Sequence, residues 1–536
     1  MKKIIYSLSL LLFFSSCKQQ QVDLIVTNAT IYTVNDDFSE AEAFAIKDGK
    51  FIAVGSKSEI ITKYTSKETI DAKGETIVPG LIDAHCHFFR MGLQQQKVSL
   101  EGTKSYDEVL ERLIAFQKEK NVTFITGRGW DQNDWEVKEF PTKEKLDILF
   151  PNTPVAIRRI DGHALLANQA AIDITKVTKN TQVTGGEIIV KDGKMTGVFI
   201  DAAMDFIQVP KPTKSTSIQG LKDAEQIAFS YGLTTVDDAG LEQSTIELID
   251  SLQKENELKI RIYAMVSATQ KNLDYYINKG IIKTDKLHVR SFKIYGDGAL
   301  GSRGAAMRES YSDRSNHFGA LIYNPERYRE MAKQIAASEY QMNTHAIGDS
   351  ANTWILKTYK NFLQGKTNKR WRIEHAQIIA PEDFTLFENV IPSVQPTHAT
   401  SDMYWAQDRI GKERMKGAYA YKDLLEVYGK VALGTDFPVE QVNPFLTFYA
   451  AAVRKDTDGY PDSGFQIENR LSREETLKGM TIWAAYSNFE ENEKGSIEVG
   501  KLADFTILDQ NIMTVDAAKI PKTKATATYV NGEKVY

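Results

Sequence analysis

The chain has 536 residues, with 66 Lys+Arg against 71 Asp+Glu (formal net charge −5), and is 42% hydrophobic and 10% aromatic. Phosphate-binding proteins carry clustered basic charge, so this balance argues against a nucleic-acid partner, and the apolar content argues against bulk disorder. Only two cysteines occur, Cys17 and Cys86, which excludes a disulfide scaffold, and the length calls for two or more structural units.

The chain opens MKKIIYSLSLLLFFSSC. Lys2 and Lys3 precede an apolar run over residues 4–14, too short to cross a bilayer, which takes roughly 20 residues. This is the layout of a secretory signal over residues 1–16. Phe14-Ser15-Ser16-Cys17 resembles a bacterial lipobox, loosely, because Leu is commoner where Phe14 stands. The resemblance implies a lipidated Cys17, a polar tether over 17–21, and a lipoprotein held at the periplasmic or cell-surface side of a membrane by its lipid alone. Ordinary cleavage near Ser16 without a lipid is the plainer alternative. No later stretch is apolar enough to span a bilayer.

From Asp23 the pattern turns to short alternating strands, with Asp48-Gly49 between two apolar runs as a hairpin signal. The C-terminal end repeats that style around Asn531-Gly532. Residues 22–80 together with 495–536 are therefore expected to form one composite β-sandwich. Between them, residues 81–494 alternate strands and helices, which predicts a parallel α/β architecture. Strand ends are expected at 82–87, 234–237, 260–266, 290–295, 341–346, 372–376, 393–398 and 430–436. Eight such strands predict a TIM-like (β/α)8 barrel with its functional groups at the strands' C-terminal ends. The long interval after the first strand carries strand and helix signals of its own, so an inserted subdomain is expected over about 100–216.

His85 and His87 are spaced i, i+2, so on a strand both imidazoles face one side and Cys86 the other. Two converging imidazoles suit an ion such as zinc; hydrogen-bonded strand histidines are the bland alternative. His345 and His375 each end a predicted strand. Asp436 ends another, unless it merely caps the turn before Pro438. Lys293 sits in an otherwise apolar strand, where a lone ammonium is costly unless paired, neutralised or modified; reaching Asp297 would be one such pairing.

The order His-x-His, Lys, His, His, Asp on successive strands resembles the amidohydrolase superfamily. The phrases VPGLIDAHCHF, GLTTVDDAG, FKIYGDGALGSR, NTHAIGD, RIEHAQ, SVQPTHA and LGTDFPVE are similar to its family 3, which contains N-substituted formamide deformylases. That resemblance spans the mature chain. It implies one divalent metal, zinc by preference, on His85, His87 and Asp436, and a second on His345 and His375. Lys293 would bridge them as a carboxylated lysine. One or two ions both occur in the superfamily.

The implied activity is hydrolysis of a C–N bond, amide or N-formyl, in a small molecule. Metal-activated hydroxide would attack the carbonyl, with Asp436 shuttling the proton to the leaving nitrogen. Hydrolysis of an ester, lactone or cyclic amide uses the same attack, and a non-catalytic ligand-binding surface lipoprotein is the reading of a different class. His398 is a candidate to orient substrate or stabilise the oxyanion. His163 is a candidate to touch substrate, and Trp130, Asp131, Tyr295 and Arg303 are candidate pocket-wall residues. Each of these has a purely structural alternative.

Overall fold

The computed structural model describes residues 19–536 apart from Gly185, so the expected signal segment 1–16 and Cys17 lie outside the described residues. No helix among the described residues is long and apolar enough to cross a membrane. The described residues divide into two compact units, one of 19–86, Ala228–Gln243 and Lys259–Tyr536, the other of His87–Ile227 and Ser244–Leu258.

The first unit contains two small sheets built from the chain's ends. One has the order Lys50–Gly55, Ala43–Lys47, Gln20–Thr27, Tyr64–Asp71. In the other, the C-terminal strand Phe505–Leu508 lies antiparallel to Thr76–Pro79. Their shared core is aromatic: Phe44, Phe51, Phe505 and Tyr529 are all buried, and Phe505 stacks on Tyr529 at 4.3 Å. Both Asp48-Gly49 and Asn531-Gly532 have positive φ at both residues, the requirement of a tight two-residue hairpin turn. Gln20 and Gln21, expected in a tether, are instead the start of the first strand, paired with Tyr64 and Thr65. Their exposed polar side chains hide the strand from a hydropathy reading, because the backbone ladder needs no apolar residue.

The same unit contains the barrel. Its strands are β1 (Leu81–Cys86), β2 (Leu233–Leu241), β3 (Arg261–Ser267), β4 (Leu287–Tyr295), β5 (Gln341–Ala346), β6 (Arg372–His375), β7 (Ile391–Val394) and β8 (Ala432–Leu433). They lie side by side in that order, each pair parallel. This is the expected TIM-like α/β fold, and every strand falls where an apolar run ends in polar residues.

β8 has only two residues, so the ring closes by other means. The Asp436 N–H donates to the His85 carbonyl at 2.8 Å. The Asp83 carboxylate accepts from the Thr435 N–H (3.0 Å) and hydroxyl (2.7 Å). Gly434 lets the backbones meet: a Cβ there would stand 2.5 Å from the His85 nitrogen. A buried Arg261–Asp504 pair (2.6 Å) ties β3 to the residue just before Phe505–Leu508.

The second unit has a mixed six-stranded sheet, in the order Gly186–Lys191, Lys194–Asp201, Ala164–Ala167, Val155–Arg159, Ile125–Trp130, Val98–Ser99. Trp130 and Trp135 are buried in its core with Leu113, Val155 and Ile157.

Candidate metal centre

The strands' C-terminal ends supply the site. β1 presents His85, β4 Lys293, β5 His345 and β6 His375, and Asp436 follows β8. His398 does not end β7 as expected; it lies in the first turn of the helix Pro396–Asp402, because Pro396 fits a first helical turn and breaks the strand. Both His375 (φ 74°) and Asp436 (φ 61°) adopt left-handed backbone conformations, uncommon for side-chain-bearing residues and concentrated at functional sites.

Among the described residues, two groups of donor atoms form, each within 4.8 Å: His85, His87 and Asp436, and His375, His398 and Asp436. Asp436 is common to both. The second group contains His375 and adds His398, whose helical turn brings Nε2 to 3.3 Å from Asp436 Oδ2. His345 remains adjacent, with its ring centroid 4.5 Å from that of His375. Lys293 Nζ lies 3.1 Å from His85 Nε2, so it turns toward the histidines. Cys86 is buried, with Sγ 3.5 Å from the Asp237 carbonyl on the neighbouring strand, as its alternation with His85 and His87 requires.

Burial dominates the electrostatics. It pushes His85 down to about 4 and His345 to about 3, each helped by Lys293, and pushes His375 well below the ordinary histidine value, helped by His345. All three are therefore neutral imidazoles at pH 7, the form that can ligate a metal. Burial also brings Lys293 down to about 8. His398 is the exception: burial alone would lower it, but hydrogen bonds to Asp436 and Glu440 outweigh that and raise it to about 10.

Among the second-tier residues, Tyr295 is 38% exposed, and its ring lies 5.8 Å from that of His345. Arg303, in the loop after β4, forms a two-pronged pair with Asp313 (2.9 and 2.7 Å) and so braces that loop. Trp130 is no wall residue, since it is fully buried and its indole N–H donates to the Ile157 carbonyl at 3.0 Å. Asp131 pairs with Arg159 at 2.5 Å. His163, in the second unit, is exposed with Nδ1 2.7 Å from Asp201 Oδ1.

Two carboxylates of the site, Glu374 and Glu440, escape the sequence reading, and a third, Asp297, was read there only as a partner for Lys293. Glu374 is fully buried with Oε2 2.6 Å from His85 Nδ1, and Arg372 and His85 hold it down at about 2 against the effect of burial. Glu440 lies 3.0 Å from His398 Nδ1 and accepts from Ser401 at 2.6 Å. Asp297 accepts backbone N–H groups from Ala306, Ile347 and Gly348 at 2.8–3.0 Å, with Oδ1 3.5 Å from His345 Nε2. The signal for Glu374 was its place one residue before a predicted ligand and two after Arg372, on one face of a strand.

Residues 68–536 match the model of the amidohydrolase family. The chain is 32% identical to Protein LONG AFTER FAR-RED 3 of Arabidopsis thaliana, over 96% of this chain and 91% of that protein. It is 23% identical to the N-substituted formamide deformylase of Arthrobacter pascens, over 96% of this chain and 98% of that one. Among solved structures, an uncharacterized metal-dependent hydrolase from Pyrococcus furiosus superposes with a TM-score of 0.76 at 26% identity, covering 92% of this chain and all of the other. With its barrel, its strand-end histidines and this match over most of its length, the chain belongs to the amidohydrolase family.

Proposed function

We propose that the protein is a metal-dependent hydrolase that cleaves a C–N bond, of amide or N-formyl type, in a small molecule. The observation that carries the reading is Asp436, a carboxylate shared by two histidine-containing donor groups at the C-terminal end of the barrel. The site fits a divalent ion. His345 Nε2 and His375 Nδ1 are buried polar atoms with no hydrogen-bond partner, a costly state that a metal ion relieves. Imidazole and carboxylate donors together suit zinc best.

One ion would be held by His85, His87 and Asp436, and a second by His345 and His375, whose unpartnered ring nitrogens are free to ligate. Lys293, between His85 and Tyr295, is the residue that carboxylation would turn into a bridging ligand. When bound, such an ion polarises a carbonyl and brings the pKa of its water to about 7.

The chain's own residues do the rest. Asp436 takes the proton of the attacking water and passes it to the leaving nitrogen. With one ion in the first group, His398, kept protonated by Asp436 and Glu440, is placed to donate toward the developing oxyanion. The buried walls of the site exclude bulk water and strengthen both interactions. The printed name of the Arthrobacter relative, a formamide deformylase, supports the N-formyl choice.

Metal analysis followed by a panel of N-acyl and N-formyl amides, esters and lactones tests the reading. The double variant His85→Ala/His87→Ala should lose both metal and turnover, and wild-type metal content in it would sink the assignment. Turnover of esters or lactones alone would replace the amide reading, and bound metal without any turnover would favour a binding protein.

Residues 1–17 are part of the same proposal, as a lipoprotein signal that leaves the enzyme tethered outside the cytoplasm through Cys17. Cys17→Ser should move the protein from the membrane to the soluble fraction, and unchanged membrane association would overturn the tether.

A further inference from the structure

The metal-site reading leaves unexplained a line of charged groups inside the barrel, all of them fully buried. Asn488 Nδ2 donates to Asp237 Oδ1 at 2.7 Å. Arg372 Nη1 donates to Asp237 Oδ2 at 3.1 Å and to the Ser487 hydroxyl at 2.7 Å. Arg372 Nε stands 3.0 Å from Glu374 Oε1, and Glu374 Oε2 lies 2.6 Å from His85 Nδ1. Asp237, Arg372, Glu374 and His85 are each 0% exposed, so water screens none of the charged groups among them. Such a line is expensive to bury and persists where it imposes one arrangement.

What it imposes follows from donor and acceptor chemistry. When Lys293 carries its ammonium, which has only donors, His85 Nε2 at 3.1 Å from Nζ is the acceptor. The ring proton then belongs on Nδ1, where an ionised Glu374, which can only accept, receives it. The two contacts, made by different elements on opposite edges of one ring, demand the same tautomer.

We infer that Glu374 is a positioning residue, held by the Asp237–Arg372 pair, which fixes His85 as its Nδ1–H tautomer and so dedicates His85 Nε2 to a metal ion. Only a carboxylate serves here. A glutamine would turn its NH2 either toward the Arg372 guanidinium, donor against donor, or toward His85 Nδ1, which drives the ring proton onto Nε2 and blocks ligation. Carboxylate partners of ligating histidines have this effect where they occur, and their loss costs roughly 10–100-fold in metal affinity.

The inference rests on the metal-site reading, and one titration separates the two. Zinc is titrated against a competing chelator into full-length wild type and Glu374→Gln, with thermal unfolding recorded for both. The expected result is zinc binding by wild type, weakened about 10–100-fold in the variant, with the variant still folded. Equal zinc affinity in a folded variant overturns the role of Glu374 alone. Failure of wild type to bind zinc overturns the metal reading and this inference with it. Should Glu374→Gln not fold, 15N-histidine NMR of the zinc-loaded wild type decides: the exchange-protected ring N–H of His85 should sit on Nδ1, and finding it on Nε2 overturns the inference.

Discussion

At His398 two carboxylates, Asp436 and Glu440, set the charge of a histidine that would otherwise be neutral like its three neighbours. His398 is largely enclosed, as His345 is, yet it moves up while His85, His345 and His375 move down, because two carboxylates grip its two nitrogens. Removing one grip should bring it back toward its neighbours. Glu440→Gln is expected to shift the alkaline limb of the activity profile to lower pH. A charge-assisted hydrogen bond of about 1.5–3 kcal/mol corresponds to about 1–2 units. An unmoved limb would show that protonated His398 is not needed for turnover. The ligand candidates themselves were legible in the sequence because strand ends in this architecture point at the site, so position alone nominates His85, His345, His375 and Asp436. Glu374 and Glu440 were not, because what each does depends on a partner 289 or 42 positions away. Trp130 misled for a similar reason, since a tryptophan reads the same in sequence whether it lines a pocket or fills a core.

Among the elements, the seam between β8 and β1 is the least regular. β8 ends after two residues, and the join is carried by Asp83, whose carboxylate gathers the Thr435 N–H and hydroxyl together with the His85 N–H. Burial raises Asp83 to about 7, against those hydrogen bonds, so each remaining donor matters to keeping the carboxylate there. Thr435→Val keeps the shape and removes the 2.7 Å hydroxyl bond. It should lower stability by about 1–3 kcal/mol, read from urea unfolding, and an unchanged midpoint would show that the seam does not depend on this bond. The barrel was legible because apolar runs ending in polar residues recur along the chain. The two hairpin turns were legible because their residues tolerate positive φ. The strand at Gln20 was not, since its first two residues carry no apolar signature, and neither was the helix that claims His398.

At the scale of the whole molecule, one buried cluster should lose stability in acid. At the N-terminal end of β4, away from the candidate site, Glu490 is buried against Lys283, His288 (3.2 Å) and Lys494 (2.5 Å). Burial lowers His288, and Lys494, His288 and Lys283 together hold Glu490 well below the usual carboxylate range despite its burial. Both groups are depressed in the folded state. Below their unfolded values, the histidine's near 6.5 and the carboxylate's near 4.5, the unfolded chain binds more protons than the folded one. Their contribution is thus complete above about pH 6.5, shrinks as pH falls, and is lost through the folded values. On acidification from pH 7 to 5, His288→Asn should lose less melting temperature, or gain more, than the wild type does. An equally steep slope in the variant would place the acid sensitivity elsewhere.

The seam has a mechanical meaning as well. The ring of strands is complete except along one line, and Asp436, which stands on that line, donates its N–H to the His85 carbonyl while its carboxylate oxygen lies 3.8 Å from the His85 ring. An ion gripped by those two residues would rivet the cylinder across its thinnest join. Stripping it with a chelator should therefore quicken hydrogen exchange first at Thr435 and Asp436 and leave the amides of β3 and β4 slow. Uniform quickening would mean that the rivet bears no strain. In such a cylinder the catalytic ion also serves as a fastener, and the enzyme's curvature and its chemistry would fail together.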